Sequence, residues 1–169
     1  MKKILILVML FSLTAFTNVN VPVEIYWSKD FKMTKEHFVQ KPDIEPGKAA
    51  SIATEIRLNT NYNGVGAGKA YAIFNTQKSY MKPGLNEWQL GIVLNHEQIH
   101  FHITEYQVRI LNAKLVGVKS PNEMIALYNY QVNQRDKMQE QYDQETNHGL
   151  NYTEQTRWSN KIKELLKLN

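Results

Sequence analysis

Apolar residues are spaced differently in the two halves of this chain, and the two spacings together predict an α+β fold. Before residue 86, short β-prone runs alternate with segments rich in Asn, Gly and Pro. These runs predict strands at 21–27, 50–58 and 70–75, with 79–81 as an extension of the last, and a helical turn between 31 and 39. From residue 86 onward, apolar positions recur at helical spacing. We therefore expect an N-terminal antiparallel β-rich half followed by three helices.

The three helices have recognisable ends. The first is expected from about Asn86 to Val116, with Gly117 after it. The second begins with Ser120 as N-cap and Pro121 at the first helical position, and the third begins near Asn151. The apolar spacing of the third helix predicts four buried residues: Trp158, Ile162, Leu165 and Leu166.

The first helix contains the motif His96-Glu97-Gln98-Ile99-His100. Residues i and i+4 of a helix share one face, so His96 and His100 can offer two imidazole nitrogens to one metal ion. Glu97 projects from an adjacent position and can act as a general base on a water molecule. This H-E-x-x-H arrangement is typical of zinc hydrolases, most often metallopeptidases. We therefore expect Zn²⁺ at His96 and His100, with Glu97 as the catalytic residue.

A catalytic zinc needs a third protein ligand, and helical phase argues against the two nearest candidates. Glu105 follows His96 by nine residues, which places it half a turn away around the helix. We expect it to pair with Arg109 at i+4 instead. His102 is two residues from His100 and also points elsewhere.

The second helix offers better candidates if it forms an antiparallel hairpin with the first. Residues near 137–141 then lie opposite the histidines, and Asp143 fits this register. His148 overshoots it by roughly 10–17 Å at 1.5 Å per residue. It reaches the metal only if the second helix ends early or the hairpin is offset.

Two blocks of this chain resemble a known family. They are His96-Glu97-Gln98-Ile99-His100-Phe101 and Tyr142-Asp143-Gln144-Glu145-Thr146-Asn147-His148-Gly149. Both are similar to a bacterial family of unknown function described as predicted secreted zinc-dependent proteases. Trp27-Ser28 upstream, and Gln155 with Trp158 downstream, extend the resemblance over nearly the whole mature chain. Position 102 departs from it, since His102 stands where an aspartate is expected.

The resemblance implies a zincin-like domain in which His148 is the third zinc ligand. It also implies that Asp143 is either a hydrogen-bond partner of a ligand or the alternative third ligand. Gly149 would let the backbone turn sharply after His148. By analogy with zincins, the strand Ala70–Asn75 would be an edge strand that binds peptide by β-augmentation.

The N-terminus has the pattern of a secretory signal peptide. Met1-Lys2-Lys3 precedes a thirteen-residue apolar run, Ile4–Phe16, which is short for a membrane span of about 20 residues. We expect residues 1–17 to be a signal peptide and 18–169 to form a single domain. The protein is then secreted or periplasmic, with no membrane span after cleavage; a retained N-terminal anchor is the alternative.

Composition narrows the chemistry further. With no cysteine, the chain forms no disulfide and must hold a metal with His and carboxylates, a set that suits zinc. Without Lys2 and Lys3, 18 basic residues face 16 acidic ones, which leaves a charge of only +2. No basic cluster with interleaved aromatic residues is present, so we expect no nucleic-acid partner. We expect a monomer that acts on a peptide or protein substrate.

Three hypotheses follow. The first is a zinc-dependent peptidase, with Tyr142, Tyr152 or Arg157 as candidate stabilisers of the oxyanion, although each of these residues is more often structural. The second is a non-catalytic zinc-binding envelope protein, in which Asp143 or Glu145 together with His148 closes the metal site. The third is an interaction module without metal, in which the histidines lie on the surface.

Overall fold

The fold is α+β, as the apolar spacing predicts. The computed structural model describes residues 21–40, 48–60 and 68–168. Three strands come first, β1 (Glu24–Tyr26), β2 (Ala50–Asn59) and β3 (Lys69–Met81), with a 3₁₀ turn at Lys35–His37 between the first two. Three helices follow: α1 (Glu87–Leu115), α2 (Pro121–Thr146) and α3 (Tyr152–Leu166).

Some sequence predictions fall on other parts of the chain. The signal peptide assigned to residues 1–17 lies outside the described residues, as do the loop segments 41–47 and 61–67. Within the described ranges, no helix has the length and apolarity that crossing a membrane requires.

The sheet has the order β1-β3-β2, and both pairings are antiparallel. The prediction that Ala70–Asn75 forms an edge strand is therefore wrong, because β3 lies between β1 and β2. Both edges of β3 are paired, and Ala72, Ile73 and Phe74 are all buried in succession, so this part of β3 is also covered on both faces. The edge strand beside the helices is β2.

The pairing of β2 with β3 contains a bulge at Ile52. Ser51 pairs with Tyr80, and Ala53 pairs with Asn75. Between these two pairs, β2 has one residue, Ile52, whereas β3 has the four residues 76–79. The Ser79 hydroxyl spans the irregularity, since it donates to the Asn75 carbonyl (2.6 Å) and accepts from the Ala53 amide (2.8 Å). Ala49 and Ala53 turn their backbone groups toward β3, since the Ala49 carbonyl accepts from the Lys82 amide and the Ala53 amide donates to Ser79. Ile52 alternates with Ala53, so its amide faces the outer edge of β2 and is available to another partner.

Helix α1 packs between the sheet and the other two helices. Its contacts with the sheet and α2 form one apolar cluster, and its contacts with α2 and α3 form a second. The first cluster contains Phe74, Phe101, Val108, Leu111, Leu115 and Met124. The second contains Ile99, Ile103, Tyr142, Trp158, Ile162 and Leu166. Because α1 is buried on two sides, its position is determined by packing with the sheet and both other helices.

The helix starts agree with their sequence signals. Side-chain oxygens of Asn86, Ser120 and Asn151 accept hydrogen bonds from backbone amides three residues later, at 2.9, 3.4 and 3.3 Å. One prediction for α3 is wrong, because Leu165 is 39% exposed while Leu166 is 2% exposed. Leu165 lies on the outer side of the helix, facing away from the second cluster.

We predict that Leu166→Ala lowers the free energy of unfolding by about 2–5 kcal/mol, because it leaves a cavity in the second cluster. The matched change Leu165→Ala should cost clearly less, because this side chain is 39% exposed and belongs to neither apolar cluster. Urea unfolding of both variants measures the difference. Equal losses would contradict the observed burial of α3.

Candidate metal centre

The antiparallel packing of α1 and α2 brings the motif histidines opposite the end of α2. The predicted register is confirmed, because Gln139 Oε1 lies 3.1 Å from His100 Nδ1. One turn further along α2, Asp143 reaches both histidines. Its Oδ1 is 3.0 Å from His96 Nε2 and 2.9 Å from His100 Nε2.

These three groups form a compact set of ligand atoms. The two Nε2 atoms are 3.2 Å apart, and the Asp143 oxygen lies within hydrogen-bond distance of both. His96 and His100 are each only 6% exposed. The cluster of His96, His100 and Asp143 can therefore hold a metal ion.

The other nitrogen of each imidazole contacts a glutamine. His96 Nδ1 is 3.2 Å from Gln155 Oε1 on α3, and His100 Nδ1 is 3.1 Å from Gln139 Oε1 on α2. The Gln139 amide nitrogen donates to the hydroxyls of Thr54 (3.2 Å) and Thr104 (3.1 Å), which directs its oxygen toward His100. Both Nδ1 atoms can thus carry a proton that a glutamine oxygen accepts, and each Nε2 keeps its lone pair.

With no cation between the three groups, protons on the Nε2 atoms face the Asp143 oxygen instead, and a bound metal ion would take the place of these protons. Burial by itself would raise the pKa of Asp143, but hydrogen bonds from His100 and His96 hold it well below its usual range. Burial would likewise lower the pKa of His100, but its hydrogen bond to Asp143 raises it overall. The cluster therefore favours a positive charge at its centre, which a bound metal ion supplies.

Glu97 lies buried in the same cleft as these ligands, 4% exposed. Its Oε2 accepts a hydrogen bond from the Ile52 amide, which faces the outer edge of β2, at 3.1 Å. Desolvation raises the pKa of Glu97 above its usual range, although the charges of His100 and His96 oppose this. The sheet thereby holds a carboxylate with enhanced proton affinity beside the ligand atoms.

The Y-D-x-x-T-x-H-G block builds the wall behind the histidines. The Tyr142 ring stacks on His96 with centroids 4.7 Å apart. The Thr146 hydroxyl accepts from the Gly149 amide at 3.3 Å. Gly149 has a φ of +86°, and a Cβ there would lie 3.2 Å from the His96 ring. The predicted sharp turn at Gly149 is confirmed, and the close contact gives a second reason for glycine.

His148 is at the rim of the cleft, outside the compact set. Its Nδ1 is 3.8 Å from Asp143 Oδ1, and its side chain is 59% exposed. It has a left-handed backbone, with a φ of 52° directly after Asn147 at 48°. Its assignment as third ligand stays a prediction, while the group that the structure brings to the histidines is Asp143.

Glu105 and His102, which helical phase argued against as metal ligands, have other partners. Glu105 accepts from Arg109 Nε at 2.9 Å, as predicted. His102 Nδ1 accepts from the Trp27 indole at 2.9 Å, and burial lowers the pKa of His102 to about 4. An aspartate at position 102 could accept the same indole hydrogen bond.

The candidate oxyanion stabilisers all have structural partners, and none of them lines the cleft in the described part of the chain. Tyr142 is fully buried against Trp158, and burial raises the pKa of its hydroxyl. Arg157 pairs with Glu154 and Glu145, and Tyr152 contacts Trp88. Glu145 also accepts from the Trp158 indole at 2.7 Å, so it faces α3.

The cleft above these groups has a volume of about 410 Å³. The start of β2 forms one wall, α1 forms the floor, and the end of α2 with the following turn forms the other wall. This is large enough for a segment of peptide or a similar small ligand.

Sequence reasoning missed three groups around the histidines: Gln139, Gln155 and the Ile52 amide. The predicted hairpin register places residues 137–141 opposite the histidines, so Gln139 could have been identified from the sequence. Gln155 and Ile52 come from α3 and from an irregular sheet pairing. No periodicity in the sequence indicates them.

We predict that Co²⁺, used as a spectroscopic probe, binds this cluster and stabilises the chain by about 2.7 kcal/mol at 100 times its Kd. Asp143→Ala should lose the cobalt absorption bands and this increment, while Asp136→Ala should keep both. Asp136 is the matched control because it lies on α2 with a 58% exposed side chain. Loss of binding in His148→Ala with retention in Asp143→Ala would mean that His148 is the ligand.

We predict that Gln139→Ala weakens metal affinity about 10–100-fold, because it removes the acceptor that orients His100. Gln139→Glu should restore most of the affinity, since a carboxylate accepts the same proton. The matched control is Gln141→Ala, which removes an exposed side chain bonded to Glu145. Competition with a chelator of known affinity measures all three, and equal affinities for Gln139→Ala and wild type would contradict the orienting role.

Comparison with known proteins finds no protein-family model, no curated protein and no solved structure that matches this chain.

Proposed function

We propose that this protein is a zinc-dependent peptidase with Glu97 as its general base. The observation that carries the proposal is the convergence of two imidazoles and one carboxylate in a cleft that also holds a buried glutamate. The H-E-x-x-H motif and the resemblance to predicted secreted zinc-dependent proteases support the same function. The cluster, the motif and the resemblance are all features of the residues themselves, and none of them requires similarity of fold to a distant protein.

Zinc is the metal that best suits this donor set. Two imidazole nitrogens and one carboxylate oxygen are a common catalytic zinc set, with the fourth position left for water. Ligand atoms 2.0–2.1 Å from a tetrahedral ion are roughly 3.3 Å apart. The observed separations of 2.9, 3.0 and 3.2 Å are close to this value. When bound, zinc supplies a Lewis acid that brings the pKa of water to about 7 and polarises a carbonyl.

The residues of the chain account for the proton transfers. The Glu97 carboxylate accepts a proton from the attacking water as the water oxygen bonds to the carbonyl carbon. Glu97 then delivers this proton to the amide nitrogen as the C–N bond breaks, which yields a carboxylic acid and an amine. The proton of the acid passes to the amine, so the released products are a carboxylate and an ammonium group. The hydrogen bond from the Ile52 amide keeps Glu97 oriented throughout.

We propose Asp143 as the third ligand, because its oxygen already contacts both Nε2 atoms. His148 then lies near the open position, on the side of solvent. One observation favours a second function: His148 Nδ1 is only 3.8 Å from Asp143 Oδ1. If His148 moved to close the fourth position, the protein would be a non-catalytic zinc-binding envelope protein.

The N-terminal sequence supports a location outside the cytoplasm. A basic start followed by a short apolar run directs a chain to secretion, so we propose a secreted or periplasmic enzyme. A peptide or protein in the cell envelope would then be its substrate, and we propose that it acts as a monomer.

We predict that Glu97→Gln lowers peptide hydrolysis at least about 10²-fold while zinc content stays at the wild-type level. The amide oxygen of Gln can still accept from the Ile52 amide, so the local structure should persist. Glu105→Gln is the matched control, because Glu105 is a mostly buried glutamate of α1 that pairs with Arg109. Hydrolysis of a mixed peptide library and elemental analysis of the purified chain give the two readouts.

The outcomes separate the two candidate functions. Removal of zinc with a chelator should abolish hydrolysis in wild type, and added zinc should restore it. Zinc bound in both proteins, with no hydrolysis that depends on Glu97, would favour the non-catalytic protein. Wild-type chain that binds no zinc would contradict both.

A further inference from the structure

The cleft above the metal centre is closed at one end by hydrogen bonds between α2 and the outer edge of β2. Arg135 donates to the Thr54 carbonyl at 3.2 Å, and Gln139 donates to the Thr54 hydroxyl at 3.2 Å. Two turns before Arg135 on α2, the Tyr128 hydroxyl donates to the Ile56 carbonyl at 3.0 Å. From Thr54 onward, side chains of α2 therefore use the edge groups that an added peptide strand would need.

The opposite end of the cleft is open. Its walls there are residues 48–52 at the start of β2 and residues 147–150 after α2. Helix α2 ends at Thr146, so none of its side chains bridges to β2 at this end. A ligand at the metal centre can extend in this direction, toward the N-terminal end of α1.

Four apolar side chains follow the open end, and we call Trp88, Ile92, Leu150 and Tyr152 the apolar strip; Ile92 is half-buried and the other three are exposed. Trp88 and Ile92 precede His96 at successive four-residue steps, so they continue the face of α1 that carries the histidines. Ile92 and Leu150 line the cleft, and Trp88 and Tyr152 meet edge to face with centroids 5.8 Å apart. Trp88, Leu150 and Tyr152 are 66%, 67% and 47% exposed.

We propose that the apolar strip binds apolar side chains of a peptide substrate, which extends from the metal centre over the open end only. This inference rests on the proposed peptidase function and adds a specificity to it. Trp88 lies eight residues before His96, or roughly 12 Å along the helix. An extended peptide covers this distance in three or four residues of about 3.3 Å each.

The positions along the strip therefore select different substrate residues. Ile92 and Leu150 receive a side chain close to the bond that is cut. Trp88 and Tyr152 receive a bulky apolar or aromatic side chain three or four residues away from it. At the closed end, contacts of Arg135 and Gln139 with Thr54 leave no matching surface for a long extension.

A peptide is the occupant that fits these features best. Two residues of the strip, Ile92 and Leu150, line the cleft that holds the ligand atoms, and none of its four residues carries a charge. Exposed apolar patches of this kind mark sites of interaction, and aromatic residues are the usual anchors for peptide side chains. Ile125 and Tyr130 are also exposed, but they lie on α2, where Tyr130 contacts Lys114 near the C-terminal end of α1.

The test uses ten-residue peptides of Gly, Ala and Ser that carry a single Phe at successive positions. Zinc-loaded wild type should cut them three or four residues from the Phe, on one side of it only, as mass spectrometry of the products will show. Zinc-loaded Glu97→Gln chain should bind the Phe peptides about tenfold more tightly than an all-Gly/Ala/Ser peptide, by fluorescence anisotropy.

Trp88→Ala and Tyr152→Ala are made in the wild-type chain and in the Glu97→Gln chain. Both changes should abolish the tenfold tighter binding of the Phe peptides, and neither should change the thermal unfolding temperature. Tyr130→Ala should keep the tighter binding. Tyr130 is the matched control for Tyr152, because both are helical tyrosines with similar exposure, 54% and 47%.

The outcomes distinguish this inference from the proposed function. Hydrolysis that is indifferent to the position of the Phe, or equal behaviour of Trp88→Ala and Tyr130→Ala, would overturn the inference and leave the peptidase function intact. Trp88-dependent binding without any hydrolysis by wild type would overturn the function and leave the peptide site. Binding of no peptide would overturn the inference.

Two further measurements identify other occupants of the strip. Sedimentation shows whether Trp88→Ala turns a dimer into a monomer. Co-sedimentation with phosphatidylglycerol vesicles shows whether the strip binds a lipid surface. A Trp88-dependent change in either, without a Phe preference, would overturn the peptide site.

Discussion

The structure depends on one contact between helices: the α1–α2 packing that holds the Asp143 carboxylate against the Nε2 atoms of His96 and His100. A carboxylate in this position loses much of its hydration, and burying it is unfavourable unless positive charge compensates. Two imidazoles with protonated Nδ1 atoms supply only lone pairs at this point. The favourable solution is a cation shared by all three groups, so the helix packing and the metal chemistry impose the same geometry.

The surroundings of this contact come from every layer of the fold. Gln139 on α2 and Gln155 on α3 face the outer nitrogens of the two imidazoles, and Gly149 packs directly against the His96 ring. The sheet contributes through its edge strand β2, since the outward-facing Ile52 amide binds Glu97. Disturbing any layer would shift the ligand atoms or the general base. The site is therefore a property of the assembled domain.

The asymmetry of the cleft connects the fold to its proposed chemistry. Because α2 is bonded to β2 on one side of the histidines and ends before the other side, the ligand atoms lie near the closed end of a wedge. The apolar strip follows the open end. An enzyme with this geometry would recognise residues on one side of the cut bond more strongly than on the other.

The sequence alone determined the features that depend on local spacing. The three helices and their caps, the shared face of His96 and His100, and the Glu105–Arg109 pair all follow from contacts between residues three or four positions apart. The central place of β3, the exposure of Leu165 and the orienting role of Gln155 were decided by tertiary structure. So was the proximity of Asp143, where the hairpin register and the family resemblance favoured different residues. These features join segments distant along the chain, and small offsets in packing decide which side chain reaches a given point.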